Sequence, residues 1–274
     1  VMSMKRPPTV AGRFYPASAP ALERQIRSYL ETAEEKLQPL GAISPHAGIM
    51  YSGKCAGRLI GAIERIPDTV IILGPNHTGL GKAIAVDPND EWETPLGCAS
   101  VDGELRKAVL GLGRGWISED AAAHRREHSI EVQLPFFQVR RPDLRFLPVC
   151  LGFANYDLAL SLSHVLVEAL HACGRKDFLL VASSDMSHFL PQKEAEKMDH
   201  MALAHFLNLD PKRAWDTIIS NDISMCGFVP AVTVLSACLD AKAASAKLLH
   251  YTTSMETSKD ASSVVGYASV VFLP

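Results

Sequence analysis

The amino-acid sequence predicts an α/β fold with a mostly parallel central sheet flanked by helices. Two strongly apolar runs, VIIL at 70–73 and FLLVA at 178–182, lack the polar–apolar alternation of a strand with one exposed face. Such runs are typical of parallel strands that are covered on both faces. Strand-like runs also alternate with segments of helical periodicity, as βαβ units require. Because no repeat, low-complexity segment or linker divides the chain, a single domain over 1–274 is expected.

The N-terminal part of the chain begins with a helix and a βαβ unit. Ser18 is a typical helix cap, and apolar residues recur after it at helical spacing: Leu22, Ile26, Tyr29, Leu30 and Leu37. This pattern predicts a first helix over about 19–37. An apolar strand at 40–44, a helix over about 53–65 and a second apolar strand at 69–73 follow in the order of a βαβ unit.

The rest of the chain continues this alternation. The stretch 83–101 is β-like at both ends, AIAV and CASV, with the turn-rich segment DPNDEWETPLG between them. Helical spacing predicts later helices over about 103–111, 128–139, 156–173, 191–207, 211–219 and 228–241. Apolar runs predict later strands at 144–151, 177–183, 247–253 and 263–272.

The composition argues against several classes of function. Apolar residues make up 47% of the chain, charged residues make up 21%, and the net charge is −3, so no basic excess indicates nucleic acid or an anionic membrane as a partner. No apolar run approaches the ~18 residues of a membrane span, and the start VMSMKRPP lacks the apolar stretch of a secretory signal. We therefore expect a cytoplasmic protein whose six cysteines, which form no C-x-x-C pair, are reduced.

Chemically active side chains occur just after predicted strands. His46 follows the first strand and His77 the second, each near a proline, and Asp185 and His188 follow a later strand. Because ligands of open α/β sheets bind outside the carboxyl ends of the strands, these side chains are expected to share one crevice. Cys226 precedes a predicted helix, whose N-terminus favours the thiolate that binds metals or acts as a nucleophile.

Each of these residues also has a purely structural interpretation. A histidine after a strand can simply hydrogen bond to the backbone, and Asp185 can cap a turn or pair locally with His188. Cys226 can be a small buried apolar residue. Tyr51 shares the loop of His46 and either lines the crevice or packs against the protein interior.

The segment HRREH at 124–128 matches the H-x-x-E-H zinc-peptidase pattern. That chemistry requires His124 and His128 on one helical face, with Glu127 activating a zinc-bound water. Three fixed letters in five match easily by chance, and at a helix start Glu127 can instead favour the helix N-terminus while His124 is solvated. Neither a nucleotide-binding glycine motif nor the G-x-S-x-G motif of serine hydrolases occurs in the chain.

Seven short motifs, in order over almost the whole chain, resemble those of the Memo family, also called AmmeMemoRadiSam system protein B. They are AGRFYP at 11–16, SPHAGIMYSG at 44–53, LGPNHTG at 73–79, WETPLG at 92–97, EHSIEVQLPF at 127–136, SSDMSHF at 183–189 and MCG at 225–227. The resemblance implies a fold similar to class III extradiol ring-cleaving dioxygenases, whose non-haem iron lies in the corresponding crevice. It also accounts for Glu127 and His128 without His124, which weakens the peptidase interpretation.

The resemblance implies that His46, His77 and Cys226 surround a metal ion, with Asp185 and His188 beside it. In the related dioxygenases the third ligand is a carboxylate and a nearby histidine acts as base; here the carboxylate position corresponds to Cys226. A thiolate is softer and suits zinc, copper(I) or a differently tuned iron, so ring cleavage is not carried over. We expect iron(II), with copper or zinc as alternatives, and His188 as a catalytic base or hydrogen-bond donor oriented by Asp185.

Three further residues, Tyr51, Asn76 and Phe14, are expected to line the pocket. Some family members carry Trp where this chain has Phe14, which preserves an aromatic wall but loses the indole N–H donor. The resemblance allows two functions. One is a redox or oxygen-dependent non-haem metalloprotein of unknown substrate, and the other is a non-enzymatic module that binds a peptide or small ligand, since animal members are linked to signalling and cell motility. The family name also implies an association with a radical-SAM protein and an AMMECR1-type protein.

Overall fold

The computed structural model describes residues 4–274, in which helices and strands alternate along the chain. The strands are β1 Lys5–Arg6, β2 Gly41–Ser44, β3 Thr69–Pro75, β4 Ile84–Val86, β5 Glu91–Thr94, β6 Gly97–Val101, β7 Ser118–Glu119, β8 Arg145–Leu151, β9 Phe178–Ser183, β10 His188–Leu190, β11 Ser245–Thr253 and β12 Val264–Leu273. The α-helices are α1 Ala19–Leu30, α2 Ile49–Ala62, α3 Gly103–Leu112, α4 Ala122–Arg125, α5 Leu134–Arg140, α6 Tyr156–Ala172, α7 Gln192–Leu207, α8 Pro211–Ser220, α9 Phe228–Asp240 and α10 Met255–Ser258. A short 3₁₀ helix, Glu131–Gln133, leads directly into α5.

Five parallel strands form the centre of the sheet, in the spatial order β6, β8, β3, β9 and β2. Antiparallel pairs extend it, with β5 beside β6 at one side and β12 beside β2 at the other. Every residue of β2 and β3 is buried, as expected for parallel strands covered on both faces. The predicted fold class is confirmed, although β9 lies between the two strands of the first βαβ unit.

Two separate helical layers cover the sheet. On one side α9 packs against β2, β3 and β9, and α6 and α8 pack against α9. In the other layer α2 packs against β2, β11 and β12, and α1 and α5 pack against α2. Among residues 4–274, no helix combines the length and the apolar character that a bilayer span requires.

The first helix is shorter than predicted, because it ends at Leu30 and not near residue 37. The Leu37 N–H donates to the Ala62 carbonyl, and the Leu37 carbonyl accepts from the Glu64 N–H, so this residue forms a bridge beside the end of α2. Leu37 thus follows the apolar spacing of α1 because it packs against the same hydrophobic core, although it lies outside the helix.

Two other predicted elements differ for local reasons. Helix α2 begins at Ile49, four residues before the predicted start, because the Ile49 N–H donates to the Phe14 carbonyl and Gly48 precedes the first turn. The segment EWET, predicted as turn, is strand β5 of a hairpin with β6 and buries Trp92. The short elements β1, β7, β10, α4 and α10 were not predicted.

Candidate metal centre

Two strand ends and one helix start bring three potential metal ligands together. His46 follows β2, His77 follows β3, and Cys226 lies just ahead of α9. One ligand atom from each, a ring nitrogen or the sulfur, lies within 4.8 Å of the other two. The His46 Nε2 is 3.4 Å from the Cys226 Sγ. The structure therefore gathers the three residues that the sequence assigned to one crevice; they are called the ligand cluster below.

A buried hydrogen-bond network fixes the ring of His46. The Ser183 hydroxyl donates to the Ser129 carbonyl at 2.7 Å and accepts from the Gln133 amide at 2.8 Å. Because the only hydrogen of this hydroxyl is already donated, the His46 Nδ1, 2.8 Å away, must donate to it. The His46 Nε2 therefore presents a lone pair toward Cys226. Burial, followed by the charge of His77, lowers the pKa of His46 to about 3, so this ring is neutral.

Glu127 orients the ring of His77. Its Oε1 accepts from the His77 Nδ1 at 2.8 Å, and its Oε2 accepts from the His77 backbone N–H. Burial alone would raise the pKa of Glu127, but the hydrogen bond and charge of His77 outweigh it and lower the pKa to about 2. Burial likewise opposes the charged form of His77, but Glu127 raises the pKa of this ring. The Nε2 of His77 is thus the nitrogen left to bind a metal, with the carboxylate behind it that metal-binding histidines ordinarily have.

His128 is a third imidazole beside the ligand cluster, and the sequence analysis did not assign it there. Its ring centroid lies 5.4 Å from that of His46 and 4.6 Å from that of His77. Burial, followed by the repulsion that a protonated His46 would exert, lowers the pKa of His128 to about 4. The signal that could have located it is the start of EHSIEVQLPF, which supplies Glu127 to His77 and His128 to the crevice. Phe14 packs on its ring at 4.5 Å.

The same region does not have the helical geometry of a zinc peptidase. Helix α4 ends at Arg125, so His124 and His128 do not share a helical face. The backbone N–H groups of His128 and Ser129 donate to the Glu127 carboxylate, and the next helical turn begins only at Glu131. His124 lies in the interior, where its Nε2 is 2.9 Å from the Ala85 carbonyl oxygen. The H-x-x-E-H match is therefore fortuitous, and the helix predicted over 128–139 begins only at Glu131, as a 3₁₀ turn that continues into α5.

Asp185 supports the loop of His46. Its Oδ1 accepts from the backbone N–H of His46 at 2.8 Å and of Ala47 at 3.2 Å, and its Oδ2 is 4.0 Å from the His46 Nε2. Burial raises the pKa of Asp185. Burial, followed by the charge of Asp185, also raises the pKa of the Cys226 thiol well above its usual range. A metal ion at this thiol would therefore have to displace its proton.

His188 has a defined orientation of its own. Its Nδ1 is 2.8 Å from the Ser224 carbonyl oxygen, and its backbone N–H donates to the Ser224 hydroxyl at 2.8 Å. A carbonyl oxygen only accepts, so Nδ1 carries the proton and Nε2 is free to accept one. Among residues 4–274 no hydrogen bond joins His188 to Asp185, whose carboxylate instead holds the His46 loop.

The three residues predicted to line the pocket take different positions. Asn76 lines a cavity that also reaches Cys226, and its side chain holds its own loop, with Oδ1 accepting from the Thr78 and Gly79 N–H groups. Phe14 covers His128, as described above. Tyr51 lies on α2 and is 38% exposed.

The donor set fits a transition metal of soft or borderline character. His46 is neutral, His46 and His77 both direct Nε2 inward, and Cys226 supplies a sulfur. Glu127 also lies close enough to His77 and His128 to form a second group that could hold a metal ion. Its Oε1 already accepts three hydrogen bonds, however, and its Oε2 accepts the His77 N–H.

Comparisons with known proteins identify the family to which the chain belongs. A family model described as "Memo-like protein" matches residues 6–271. A MEMO1 family protein of Aquifex aeolicus is 39% identical over 98% of this chain and 99% of its own length, and one of Archaeoglobus fulgidus is 39% identical over 97% and 99%. An uncharacterized protein of Escherichia coli K12 superposes with a TM-score of 0.57 at 13% identity, over 84% of this chain and 98% of that one, which shows a likeness of fold alone. With one family model and close relatives spanning nearly its whole length, the chain belongs to the Memo-like protein family.

Proposed function

We propose that this Memo-family chain is a redox or oxygen-dependent metalloprotein that holds iron(II), or alternatively copper, through His46, His77 and Cys226. The observation that carries the proposal is the ligand cluster: two Nε2 atoms left free by partners on Nδ1, and a sulfur 3.4 Å from one of them. A bound iron or copper ion would supply the one-electron chemistry with dioxygen that side chains lack. Zinc would fit the same donors but has no redox chemistry.

The surrounding residues would move protons and maintain the geometry. The free Nε2 of His188 can accept a proton from a substrate, because Nδ1 is held by the Ser224 carbonyl. Asp185 fixes the His46 backbone, and Glu127 fixes the His77 ring, so both ligands are positioned before a metal binds.

Metal binding is the direct test of the proposal. Protein freed of metal by chelation is titrated with Fe(II) under anaerobic conditions, and bound iron is measured by metal analysis. We expect stoichiometric binding that Cys226→Ser weakens by about 100-fold or more, because it removes a ligand and not only its support. Cys173→Ser is the matched control, since this half-buried cysteine lies at the end of α6. Cobalt(II) should give a sulfur-to-metal charge-transfer band in the Cys173→Ser variant and none in Cys226→Ser.

Oxygen consumption tests the redox part. His188→Gln should retain iron and lose oxygen uptake, whereas His46→Ala should lose both. The proposal fails if neither isolated nor loaded protein holds stoichiometric metal. A ligand that still binds to His46→Ala and His77→Ala, without oxygen uptake by the wild type, would instead support the non-enzymatic binding module.

A further inference from the structure

A cavity of about 650 Å³ opens beside the ligand cluster. Its volume lies within the ~300–1,000 Å³ range of small-molecule sites. Cys226 of the ligand cluster and Asn76, the residue before His77, are among the residues that line it. A molecule bound in this cavity would therefore be a neighbour of the proposed metal centre.

The walls of the cavity are apolar and partly aromatic. Trp215 of α8 and Phe228 at the start of α9 lie with ring centroids 5.0 Å apart. Phe153 and Ile219 also line the cavity, yet they are 91% and 56% exposed. The remaining apolar lining comes from Pro75, Ala83, Leu151, Ala154, Val229 and Pro230. Large apolar side chains left in water beside a cavity are typical of a site that a ligand covers, and flat rings favour a planar ligand.

The cavity lining carries one charge. Lys82 is its only charged residue, and among residues 4–274 no ion pair involves the Lys82 ammonium group. The nearby carboxylate of Asp120 accepts the backbone N–H groups of Lys82 and Ala122. Of the two lining amides, Asn76 holds its own loop through both its oxygen and its nitrogen, whereas Asn155 uses its oxygen to cap α6. The charged recognition that the cavity offers is therefore the one unpaired ammonium group of Lys82.

We infer that this cavity binds a planar aromatic small molecule with a single carboxylate group. Its ring would lie against Trp215 and Phe228, and its carboxylate would meet Lys82. A phosphate ester would bring a second negative charge that no lining residue balances, and a peptide would bring backbone polar groups into walls that offer few partners. The identity of this molecule as a substrate rests on the proposed function; its binding does not, because none of these contacts involves a metal.

Two probes of equal shape and different charge test the inference. Biphenyl-4-carboxylate and the neutral biphenyl-4-carboxamide are titrated calorimetrically into protein freed of metal by chelation. We expect the carboxylate to bind about tenfold more tightly than the carboxamide, since it adds a charge-assisted contact. Lys82→Met should remove this preference and leave carboxamide binding unchanged. Lys107→Met, which changes an exposed lysine on α3, is the matched control.

A second pair of variants tests the location. Ala83 is exposed and lines the cavity, so Ala83→Phe should fill it and weaken both probes by about tenfold or more. Ala244→Phe is the control, because Ala244 is exposed and lies next to β11 at the opposite end of the sheet, where Ser245 pairs with Leu273. Thermal unfolding of both variants separates lost binding from lost folding.

Several outcomes overturn the inference: equal affinity for the two probes, a preference that survives Lys82→Met, or unchanged binding in Ala83→Phe. Decanoate that binds as tightly as biphenyl-4-carboxylate would overturn the aromatic part. Metal content measured on the same samples separates this inference from the proposed function. Probe binding by a protein that takes up neither iron nor copper supports the cavity inference and refutes the metalloprotein. Uptake of either metal without probe binding supports the metalloprotein and refutes the cavity inference.

Discussion

Replacing Glu131 with glutamine should loosen the N-terminal segment 6–15, because several residues of this segment hydrogen bond to the buried Glu131 carboxylate. It accepts hydrogen bonds from the Arg6 Nη1 and the Thr9 hydroxyl at 2.7 Å each and from the Tyr15 hydroxyl at 2.7 Å. The backbone N–H groups of Thr9 and Val10 add two more at 3.0 Å. Burial alone would raise the pKa of Glu131, but Arg6 and these hydrogen bonds outweigh it and lower the pKa.

The magnitude follows from the burial of the partner. The side chain of Arg6 is 2% exposed, so Glu131→Gln leaves a guanidinium in the interior without its counter-charge. Removing one partner of a buried ion pair costs about 3–5 kcal/mol. The carbonyl oxygens of His124 and Glu127, and the ring of Trp92 at 4.0 Å, still contact the guanidinium, so we expect the lower end of that range. Urea unfolding at neutral pH measures the loss directly.

The pH dependence of this loss has a defined sign. A carboxyl group with a lowered pKa stabilises the folded protein above its unfolded-state pKa, and that contribution disappears as the pH falls through the folded-state pKa. The gap between wild type and Glu131→Gln should therefore be full at neutral pH and narrow in acid, beginning near pH ~4–5. Glu23→Gln, which breaks an exposed pair with Arg27, should cost less than about 0.5 kcal/mol. A loss from Glu131→Gln of under about 1 kcal/mol, or a gap that widens in acid, would refute this reasoning.

Three other changes test the site and the packing. Glu127→Gln should weaken metal binding by about 10–100-fold without abolishing it, because a neutral amide replaces the carboxylate that accepts the hydrogen bond of the His77 Nδ1. Anaerobic titration with Fe(II) measures the change in affinity. Since burial raises the pKa of the Cys226 thiol, metal affinity should increase with pH over the neutral to alkaline range, and a flat profile would contradict a thiolate ligand. Gly57→Ala should lower the free energy of unfolding by about 2–3 kcal/mol, because the added Cβ would lie 2.5 Å from the Tyr29 backbone. Gly111→Ala, in open space near the end of α3, should instead raise it by up to about 1 kcal/mol, and urea unfolding measures both.

Much of the fold was predictable because buried parallel strands have a distinctive composition. The runs that became β3 and β9 contain almost no polar residue, and their positions differ from the predicted ones by at most two residues at either end. Helix ends were less predictable where tertiary contacts occupy the backbone. Leu37 lies outside α1 because its backbone hydrogen bonds to residues at the end of α2. Helix α2 begins four residues early because the Ile49 N–H donates to the Phe14 carbonyl.

The ligand cluster was predictable for a different reason. Carboxyl ends of parallel strands meet at one edge of a sheet, so residues directly after β2 and β3 are close in space whatever the intervening sequence. That rule placed His46 and His77 together and, with the resemblance to the Memo family, Cys226 beside them. It gave no information about His128, which lies in an irregular segment whose path depends on Glu127 accepting backbone N–H groups.

The sequence by itself therefore determined the α/β class through composition and spacing, and the neighbourhood of His46 and His77 through the strand ends that precede them. The family followed from the short motifs, and Cys226 joined the two histidines only as what that resemblance implied. Only the tertiary structure decided which nitrogen of each imidazole faces the cluster, since that choice depends on Ser183 and Glu127, far away along the chain. It also decided that Asp185 holds the His46 loop and that an apolar cavity with one lysine opens at Cys226. Hydrogen-bond partners and cavities are set by packing between distant segments, and a linear pattern does not encode their distances.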